Sequence, residues 1–292
     1  MSTIQIEAER CKKCGTCVQI CPTELFEQDA KGSVPKVLDT AHCIDCGHCV
    51  AICPNEAISH SSFPSGSIHT VHPEMLPNVE QLMELLRSRR SVREFKNKPV
   101  ERELIEQVID GARFAPSAHN VQSTEFIVIQ DKAILSQIVR LTVERLKLWS
   151  KLLKNPVIRT CNRLIAGQAT GAKVDELADY FAEVFGQYEQ GVDLVLHDAP
   201  TLLLFHADPY AGFAAINANL ALQNASLVCE TLGLGAFYIG YAIAACNFNH
   251  KMAKLLQLPP KHKVYGGLAI GYPKFHYQNW IERNPARINW LL

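Results

Sequence analysis

The sequence contains the stretch Cys11-Lys12-Lys13-Cys14-Gly15-Thr16-Cys17-Val18-Gln19-Ile20-Cys21-Pro22, and 32 residues later it contains Cys43-Ile44-Asp45-Cys46-Gly47-His48-Cys49-Val50-Ala51-Ile52-Cys53-Pro54. Each stretch has the spacing C-x2-C-x2-C-x3-C-P. The two also share a glycine after the second cysteine and a Val-x-Ile segment before the last, so they form an internal repeat. Because eight of the 11 cysteines fall in this repeat, it decides the fold of the N-terminal part of the chain.

The spacing is typical of bacterial proteins that hold two [4Fe–4S] clusters. Three thiolates, with two residues between one and the next, lie on one tight loop and can bind three irons of one cluster. The fourth, which precedes proline, points away and binds the other cluster. We therefore predict that one cluster is bound by Cys11, Cys14, Cys17 and Cys53, and the other by Cys43, Cys46, Cys49 and Cys21. The repeated glycines let backbone N–H groups approach the sulfurs, and such contacts tune a metal centre.

Two other interpretations of these cysteines are weaker. Zinc usually takes four ligands in two C-x2-C pairs, which leaves no reason for a third cysteine followed by C-P. Disulfides are typical of small secreted scaffolds. Residues 1 to 60 as a whole resemble a bacterial ferredoxin with two [4Fe–4S] clusters.

Length and composition limit the other possibilities. A chain of 292 residues suits two domains. The acidic and basic residues balance at 29 each, which gives no general attraction for nucleic acid. No apolar run is long enough for a membrane span, and residues 1–10 read as a short strand rather than a signal peptide. Because iron-bound thiolates need a reducing compartment, we predict a cytoplasmic protein.

We predict a ferredoxin domain at residues 1–60, a linker at 61–78 and a second domain at 79–292. Three histidines lie at or near the linker, and we interpret His60, His69 and His72 as part of a polar connector because they lack ligand spacing. Three more cysteines lie outside the repeat; we assign no ligand or nucleophile role to Cys161, Cys229 or Cys246.

In the second domain, hydrophobic periodicity predicts alternating helices and strands. Helices are expected at 79–86, at 101–114, over most of 132–190 and at 214–232. Strands are expected at 124–130, 200–206, 236–243 and 264–270. The fold class is therefore α+β, with helices layered on a sheet.

The second domain also contains a series of short motifs. They are Arg89-Arg90-Ser91-x-Arg93-x-Phe95, Pro116-Ser117-Ala118-x-Asn120-x-Gln122, Leu232-Gly233-Leu234-Gly235, Tyr238-Ile239-Gly240 and Gly271-Tyr272-Pro273. In this order, residues 79–292 resemble the nitroreductase family of FMN flavoproteins. The resemblance implies a three-layer sheet-and-helix domain, a homodimer and bound FMN.

The resemblance also implies the FMN-binding residues. Arg89, Ser91 and Arg93, with Arg90 in the same basic turn, would bind the phosphate and ribityl chain. Arg283 would reach the phosphate from the tail, where Arg287 or Lys274 could take its place. The remaining contacts implied for the flavin and its ribityl chain come from Pro116, Ser117, Ala118, Asn120, Gln122, Tyr238, Ile239 and Gly240.

These features predict a flavin oxidoreductase. Electrons would enter from a reduced ferredoxin-type donor through the clusters and leave through FMN to a small acceptor such as a nitroaromatic or quinone. No side chain stands out as a catalytic acid, since the flavin carries the redox chemistry. The alternative is an electron-transfer module that docks to a partner redox protein, with FMN as a relay. A third possibility, a zinc-stabilised binding protein, predicts a colourless sample.

Overall fold

The computed structural model describes residues 2–291, with the backbone alone at Ala166. The chain divides into two compact units. The first comprises Met1–Pro77 together with Ser117–Val121, and the second comprises Asn78–Pro116 together with Gln122–Leu292. The domain boundaries drawn from the sequence stay a prediction. They give no indication that a short segment after residue 116 packs with the N-terminal unit.

The first unit is built from two short helices and two small antiparallel sheets. Its elements are β1 (Ile4–Ile6), α1 (Thr16–Ile20), β2 (Phe26–Glu27), β3 (Lys36–Val37), α2 (His48–Ile52) and β4 (Ile58–His60). β1 pairs with β4, and β2 pairs with β3. Two further 3-10 turns, at Ser65–Ser67 and Pro73–Met75, lie in the segment expected to be a linker.

The internal repeat of the sequence is also a repeat of backbone conformation. Gly15 and Gly47 both have φ 72°, and each precedes a helix of five residues. Glycine adopts this left-handed conformation without a Cβ penalty. Lys13 and Asp45 occupy equivalent positions and are left-handed as well, with φ 59° and 49°. The two halves of the unit therefore fold by one local rule.

The second unit contains four strands and eight helices within the described residues. These are α3 (Val79–Ser88), α4 (Arg102–Arg113), β5 (Glu125–Ile129), α5 (Lys132–Leu153), α6 (Pro156–Ala166), α7 (Gln168–Glu189), β6 (Thr201–Ala207), α8 (Ala214–Thr231), β7 (Gly235–Tyr238), α9 (Gly240–Asn247), α10 (His250–Leu255) and β8 (Lys263–Gly271). None of the helices between residues 2 and 291 combines the length and the apolar surface that a membrane crossing requires.

The four strands form one antiparallel sheet in the order β5-β6-β8-β7. Every residue of β6 is buried, because helices cover both faces of the sheet. Leu202 and Leu204 face a core built with α5, α7 and α9, whereas Leu203 and Phe205 face a core built with α4 and α8. Each such side chain contributes about 1.5–3 kcal/mol on burial. The expected α+β class and three-layer arrangement are confirmed.

One predicted strand is wrong over half its length. Residues 236–243 were expected to be extended, but β7 ends at Tyr238 and α9 begins at Gly240. The residues of α9 are apolar nearly all round, with Ala242, Ile243, Ala245 and Cys246 buried. A continuous apolar run has the same pattern in a buried strand and a buried helix, so the sequence does not separate the two.

The edge strand β7 holds the basic turn that follows α3. Ser91 forms a parallel bridge to Ala236, and the Val92 N–H donates to the Ala236 carbonyl over 3.2 Å. This approach depends on Gly235, since a Cβ there would lie 2.7 Å from the Val92 side chain. The absence of a side chain at position 235 thus fixes where residues 89–93 run.

We expect Gly235→Ala to destabilise the second unit by about 1–3 kcal/mol, because the added methyl overlaps the branched Val92 side chain. The matched control is Gly186→Ala in α7, where no atom lies within 4 Å of the added Cβ. That change should stabilise the unit by about 0.5–1 kcal/mol through helix propensity. Urea unfolding followed by circular dichroism measures both, and equal midpoints for the two variants would contradict the packing argument.

Candidate functional site

Two cavities in the first unit are each lined by four cysteines. The first is lined by Cys11, Cys14, Cys17 and Cys53. The second is lined by Cys21, Cys43, Cys46 and Cys49. Each cavity takes three thiols from one half of the repeat and the fourth from the other half, which is the grouping expected for the ligands. All 11 cysteines are free thiols, so the cavities fit two [4Fe–4S] clusters and not disulfides.

Backbone N–H groups approach the sulfurs in a pattern that repeats between the halves. The Leu25 N–H donates to Cys21 Sγ over 3.4 Å, and the equivalent Ala57 N–H donates to Cys53 Sγ over 3.2 Å. In the first half the Lys13 N–H also donates to Cys11 Sγ over 3.4 Å. Hydrogen bonds of this kind stabilise negative charge on sulfur, and they are one of the terms that set the potential of an iron–sulfur centre.

One side chain joins these backbone donors at the second cavity. His60 is 4% exposed, and its Nε2 lies 3.4 Å from Cys43 Sγ. The Ser62 N–H donates to His60 Nδ1 over 3.1 Å. Because Nδ1 accepts this bond, the neutral ring carries its proton on Nε2, which faces the sulfur. The interpretation of His60 as part of a polar connector is therefore wrong, since it closes β4 as a buried residue.

Burial opposes ionisation at three of the cavity thiols. Burial raises the pKa of Cys49 to about 11 and raises the pKa of Cys17 and of Cys43. The Thr16 hydroxyl, and to a smaller degree Lys12, lowers the pKa of Cys14. Because metals bind the thiolate form, metal binding would have to displace protons from these three sulfurs, which couples binding to pH.

The basic turn of the second unit contains an arginine nitrogen that lacks a hydrogen-bond partner. Among the described residues, Arg90 Nη2 is buried and has no hydrogen-bond partner. A buried guanidinium nitrogen without a partner costs free energy, and each such group in a native fold calls for an explanation such as a missing ion. A phosphate group satisfies the requirement because guanidinium binds its oxygens by charge-assisted hydrogen bonds.

Arg89 and Arg93, on either side of Arg90, make different contacts from it. Arg89 caps the C-terminus of α3 and donates its N–H to the Leu85 carbonyl over 3.3 Å. Arg93 is exposed, and its guanidinium lies 5.4 Å from the centroid of the Phe237 ring. The His197 ring packs edge-on against the same Phe237 ring, at 5.3 Å, and burial lowers the pKa of His197. The turn thus presents cations beside an aromatic surface.

The segment predicted from Pro116 to Gln122 is conformationally strained. His119, Asn120 and Gln122 all have positive φ, between 44° and 52°, and such clusters of left-handed residues are typical of functional sites. Ser117, Ala118 and Asn120 belong to the first unit, and Pro116 and Gln122 to the second. Within the first unit, Asn120 Nδ2 donates to the Asp45 carbonyl over 2.6 Å. The Asn120 amide is therefore committed to the loop between Cys43 and Cys46.

The other predicted flavin contacts lie where β7 meets α9. Tyr238 ends the strand and is 48% exposed, whereas Ile239 is buried and donates its N–H to the Gly267 carbonyl over 3.1 Å. Gly240 opens α9, and the first N–H groups of a helix have no intrahelical acceptor. The turn can thus offer backbone donors, as expected from the absence of a side chain at position 240.

Arg283 lies in the irregular tail that follows β8, and its backbone N–H donates to Glu282 Oε1 over 2.8 Å. The tail reaches α3 three residues earlier, where the Arg87 guanidinium lies 4.9 Å from the centroid of the Trp280 ring. Lys274 is paired with Glu94 at 3.0 Å, which makes it a weaker substitute for Arg283. A phosphate contact from Arg283 stays a prediction.

Two further residues near the predicted motifs stand out only in the structure. Ser123 follows Gln122 directly, and its buried hydroxyl has no partner among the described residues. His197 is left-handed, with φ 52°, and stacks beside the basic turn. Neither belongs to a recognisable motif. Only the position of Ser123 next to the Pro116–Gln122 segment could have indicated it.

Comparison with family models gives two matches. Residues 86–272 match the nitroreductase family, and residues 3–54 match the 4Fe-4S dicluster domain. The first match alone covers more than half of the chain. Together they confirm the resemblances seen in the motifs and the fusion of the two domains.

Individual relatives agree with these matches. "FMN reductase [NAD(P)H]" of Bacillus subtilis is 28% identical over 204 residues, 67% of each chain. A "Putative NADH dehydrogenase/NAD(P)H nitroreductase" of Methanothermobacter thermautotrophicus is 23% identical over 209 residues, which cover 70% of this chain and 83% of that protein. A nitroreductase with bound FMN from Bacteroides fragilis shares the fold, with a TM-score of 0.54 and 19% identity over 72% of this chain and 99% of that one. The chain is therefore a member of the nitroreductase family that carries a 4Fe-4S dicluster domain at its N-terminal end.

Proposed function

We propose that this chain is an FMN-dependent oxidoreductase that takes electrons through two [4Fe–4S] clusters and delivers them through FMN to a small electron-poor acceptor. The observation that carries the proposal is the presence, in one chain, of two four-cysteine cavities and a nitroreductase-family domain. The names of similar proteins support FMN as the cofactor, since one is an FMN reductase and another was solved with FMN bound.

The donor and the acceptor follow from the chemistry of these groups. FMN, when bound, accepts electrons singly and gives them up in pairs, whereas iron–sulfur centres carry one at a time. A reduced ferredoxin-type carrier is the donor that suits the clusters, and fusion to the flavin domain makes delivery intramolecular. A nitroaromatic or a quinone is the acceptor class, because each takes up two electrons with two protons, which water can supply.

Arg90 is the residue best suited to hold the FMN phosphate. Its buried Nη2 has no partner, while Arg93 and Ser91 on the same turn are exposed and can reach other oxygens. The proposed ligands further along the chain are Pro116, Ser117, Ala118, Asn120, Gln122, Tyr238, Ile239, Gly240 and Arg283. Arg89 contributes charge from the end of α3.

A homodimer is part of the proposal, as is usual for the nitroreductase family. In support, α8 leaves Ile216 and Leu220 exposed one turn apart on a single face, which a second copy of the chain could cover. We also place the protein in the cytoplasm, because iron-bound thiolates need a reducing compartment.

His60 would tune the second cluster. Its Nε2–H faces Cys43 Sγ from a buried position, and the Ser62 N–H holds the ring in that tautomer. A hydrogen bond to a ligand sulfur favours the reduced, more negative cluster and so raises its potential. Asp45 Oδ1 lies 3.6 Å from the same nitrogen. The His60 N–H therefore faces both the Cys43 sulfur and the Asp45 carboxylate.

We expect Arg90→Ala to weaken FMN binding by about tenfold or more, since a charged hydrogen bond in a buried site is lost. The apoprotein should be no less stable than wild type, because the substitution removes a buried guanidinium nitrogen that has no hydrogen-bond partner. Flavin content after gel filtration and thermal unfolding of the apoprotein measure the two effects. Arg102→Ala, which removes an exposed arginine paired with Glu106, is the control. Unchanged flavin retention in the Arg90 variant would contradict the assignment.

Replacing His60 by Leu should lower the reduction potential of one cluster and leave that of the other unchanged. The reason is that Cys43 is the ligand sulfur that loses a hydrogen-bond donor. A redox titration followed by electron paramagnetic resonance measures both clusters in the same sample. His69→Leu, at an exposed histidine, is the control. Equal potentials in the His60 variant and wild type would show that the ring serves packing only.

The purified protein should catalyse many turnovers of nitroaromatic or quinone reduction when supplied with reduced ferredoxin. Cys14→Ser should abolish this activity but spare turnover driven by dithionite, which can reduce the flavin directly. Cys161→Ser, at an exposed cysteine outside the repeat, should leave both unchanged. If only a protein partner, and no small molecule, reoxidises the reduced protein, the chain is an electron-transfer module and the proposal fails.

A further inference from the structure

We propose that Glu125, His206 and His262 form a binding site for a divalent transition metal ion, with Zn²⁺ as the metal that fits best. The three residues lie in the second unit, away from the cysteine repeat in sequence. Each offers one ligand atom, and the three atoms lie within 4.8 Å of one another. The site depends on neither the clusters nor FMN.

The sheet brings the first two residues together. Glu125 opens β5 and is directly opposite His206 of β6 in the antiparallel register, so their side chains share one face of the sheet. The register of β6 against β8 shifts between Phe205 and His206, with one extra residue, Tyr265, on β8. Such irregularities are common next to functional sites.

A constrained turn supplies the third residue. His262 immediately precedes β8, and its N–H donates to the Pro259 carbonyl over 3.1 Å. The preceding Lys261 is left-handed, with φ 70°, which is an uncommon conformation for a residue with a long side chain. The turn Pro259-Pro260-Lys261 thus holds the His262 ring against β6 at a cost in backbone strain.

The distances suit a shared ion. His206 Nδ1 and His262 Nδ1 are 3.0 Å apart, close to the ~3.4 Å that separates two ligands at ~2.1 Å from a tetrahedral zinc ion. His206 is 3% exposed, so its ring is packed inside the fold beside His262. Without a metal, a single hydrogen bond between the two rings accounts for the contact but gives Glu125 no part in it.

The ligand set indicates the metal. Two imidazole nitrogens and one carboxylate oxygen are a common zinc set, and three protein ligands leave a position for water. Calcium and magnesium prefer oxygen ligands throughout. Glu125 is exposed and His262 is half-buried, so an ion can enter from solvent. The second grouping of this kind, Cys43 with Asp45 and His60, belongs to the cysteine cavity described above.

The experiment uses the protein with its clusters and flavin in place. After brief chelation and anaerobic incubation with Zn²⁺, the desalted wild-type protein should retain about one zinc per chain. Loss of a ligand should weaken zinc binding at least about tenfold in His262→Ala and in Glu125→Gln. His206 is left intact because it is buried in the sheet. His250→Ala, at an exposed histidine that opens α10, is the control and should bind zinc like wild type.

X-ray absorption at the zinc edge identifies the ligands. Nitrogen and oxygen scatterers at ~2.0–2.1 Å, without sulfur, are expected for this site, whereas sulfur at ~2.3 Å would place zinc on the cysteines. Sulfur scatterers, failure of wild type to retain zinc, or equal retention by the His262 and His250 variants would each overturn the proposal. None of these outcomes bears on the flavin and cluster proposal, which is tested separately.

Discussion

The first unit depends on the convergence of four thiols from two distant stretches on each cavity. Cys53 reaches the cavity of the first half, and Cys21 reaches that of the second, so neither half is complete alone. The apolar core here is small and includes several of the cysteines themselves. A small domain with a small apolar core is only marginally stable, so a further source of free energy matters. Metal binding, which links both halves twice, is the natural source, and folding and cluster assembly are then one event.

The second unit is well packed, so the buried polar atoms in it that have no hydrogen-bond partner are informative. Its sheet is covered by helices on both faces, and every residue of β6 is buried. Against this background three side-chain atoms of the described residues are buried without a hydrogen-bond partner: Arg90 Nη2, Ser123 Oγ and Thr142 Oγ1. Thr142 lies inside α5, whereas a bound phosphate group would explain the Arg90 atom. The basic turn that carries Arg90 is in turn fixed by the close contact between Val92 and Gly235, so packing in the sheet positions a cation for an anion.

The sequence was sufficient to predict the structure wherever residues close together in the chain determine it. The cysteine repeat indicated the grouping that the two cavities show, and the period of apolar residues located α3 and α4 closely. The start of α9 was missed because an apolar run is ambiguous between helix and strand. Long-range packing was missed for another reason. Neither the burial of His60 against Cys43 nor the bond from Asn120 to Asp45 has a local signature, and both join residues far apart in the chain. The partnerless Arg90 atom is likewise visible only once its surroundings are known.

The two halves of the repeat give the two cavities the same backbone conformation but different charged residues nearby. Lys13 and Asp45 hold equivalent left-handed positions, so a cation in one half replaces an anion in the other. Lys12 adds positive charge beside Cys14, whereas Asp45 Oδ1 lies 3.6 Å from Cys43 Sγ. Positive charge favours the reduced form of a cluster and negative charge opposes it. Taken alone, these charges would make a cluster held by Cys11, Cys14, Cys17 and Cys53 the easier to reduce. At the other cavity the His60 N–H would act in the opposite sense to Asp45, so one carboxylate and one imidazole would both contribute to any difference between the two potentials.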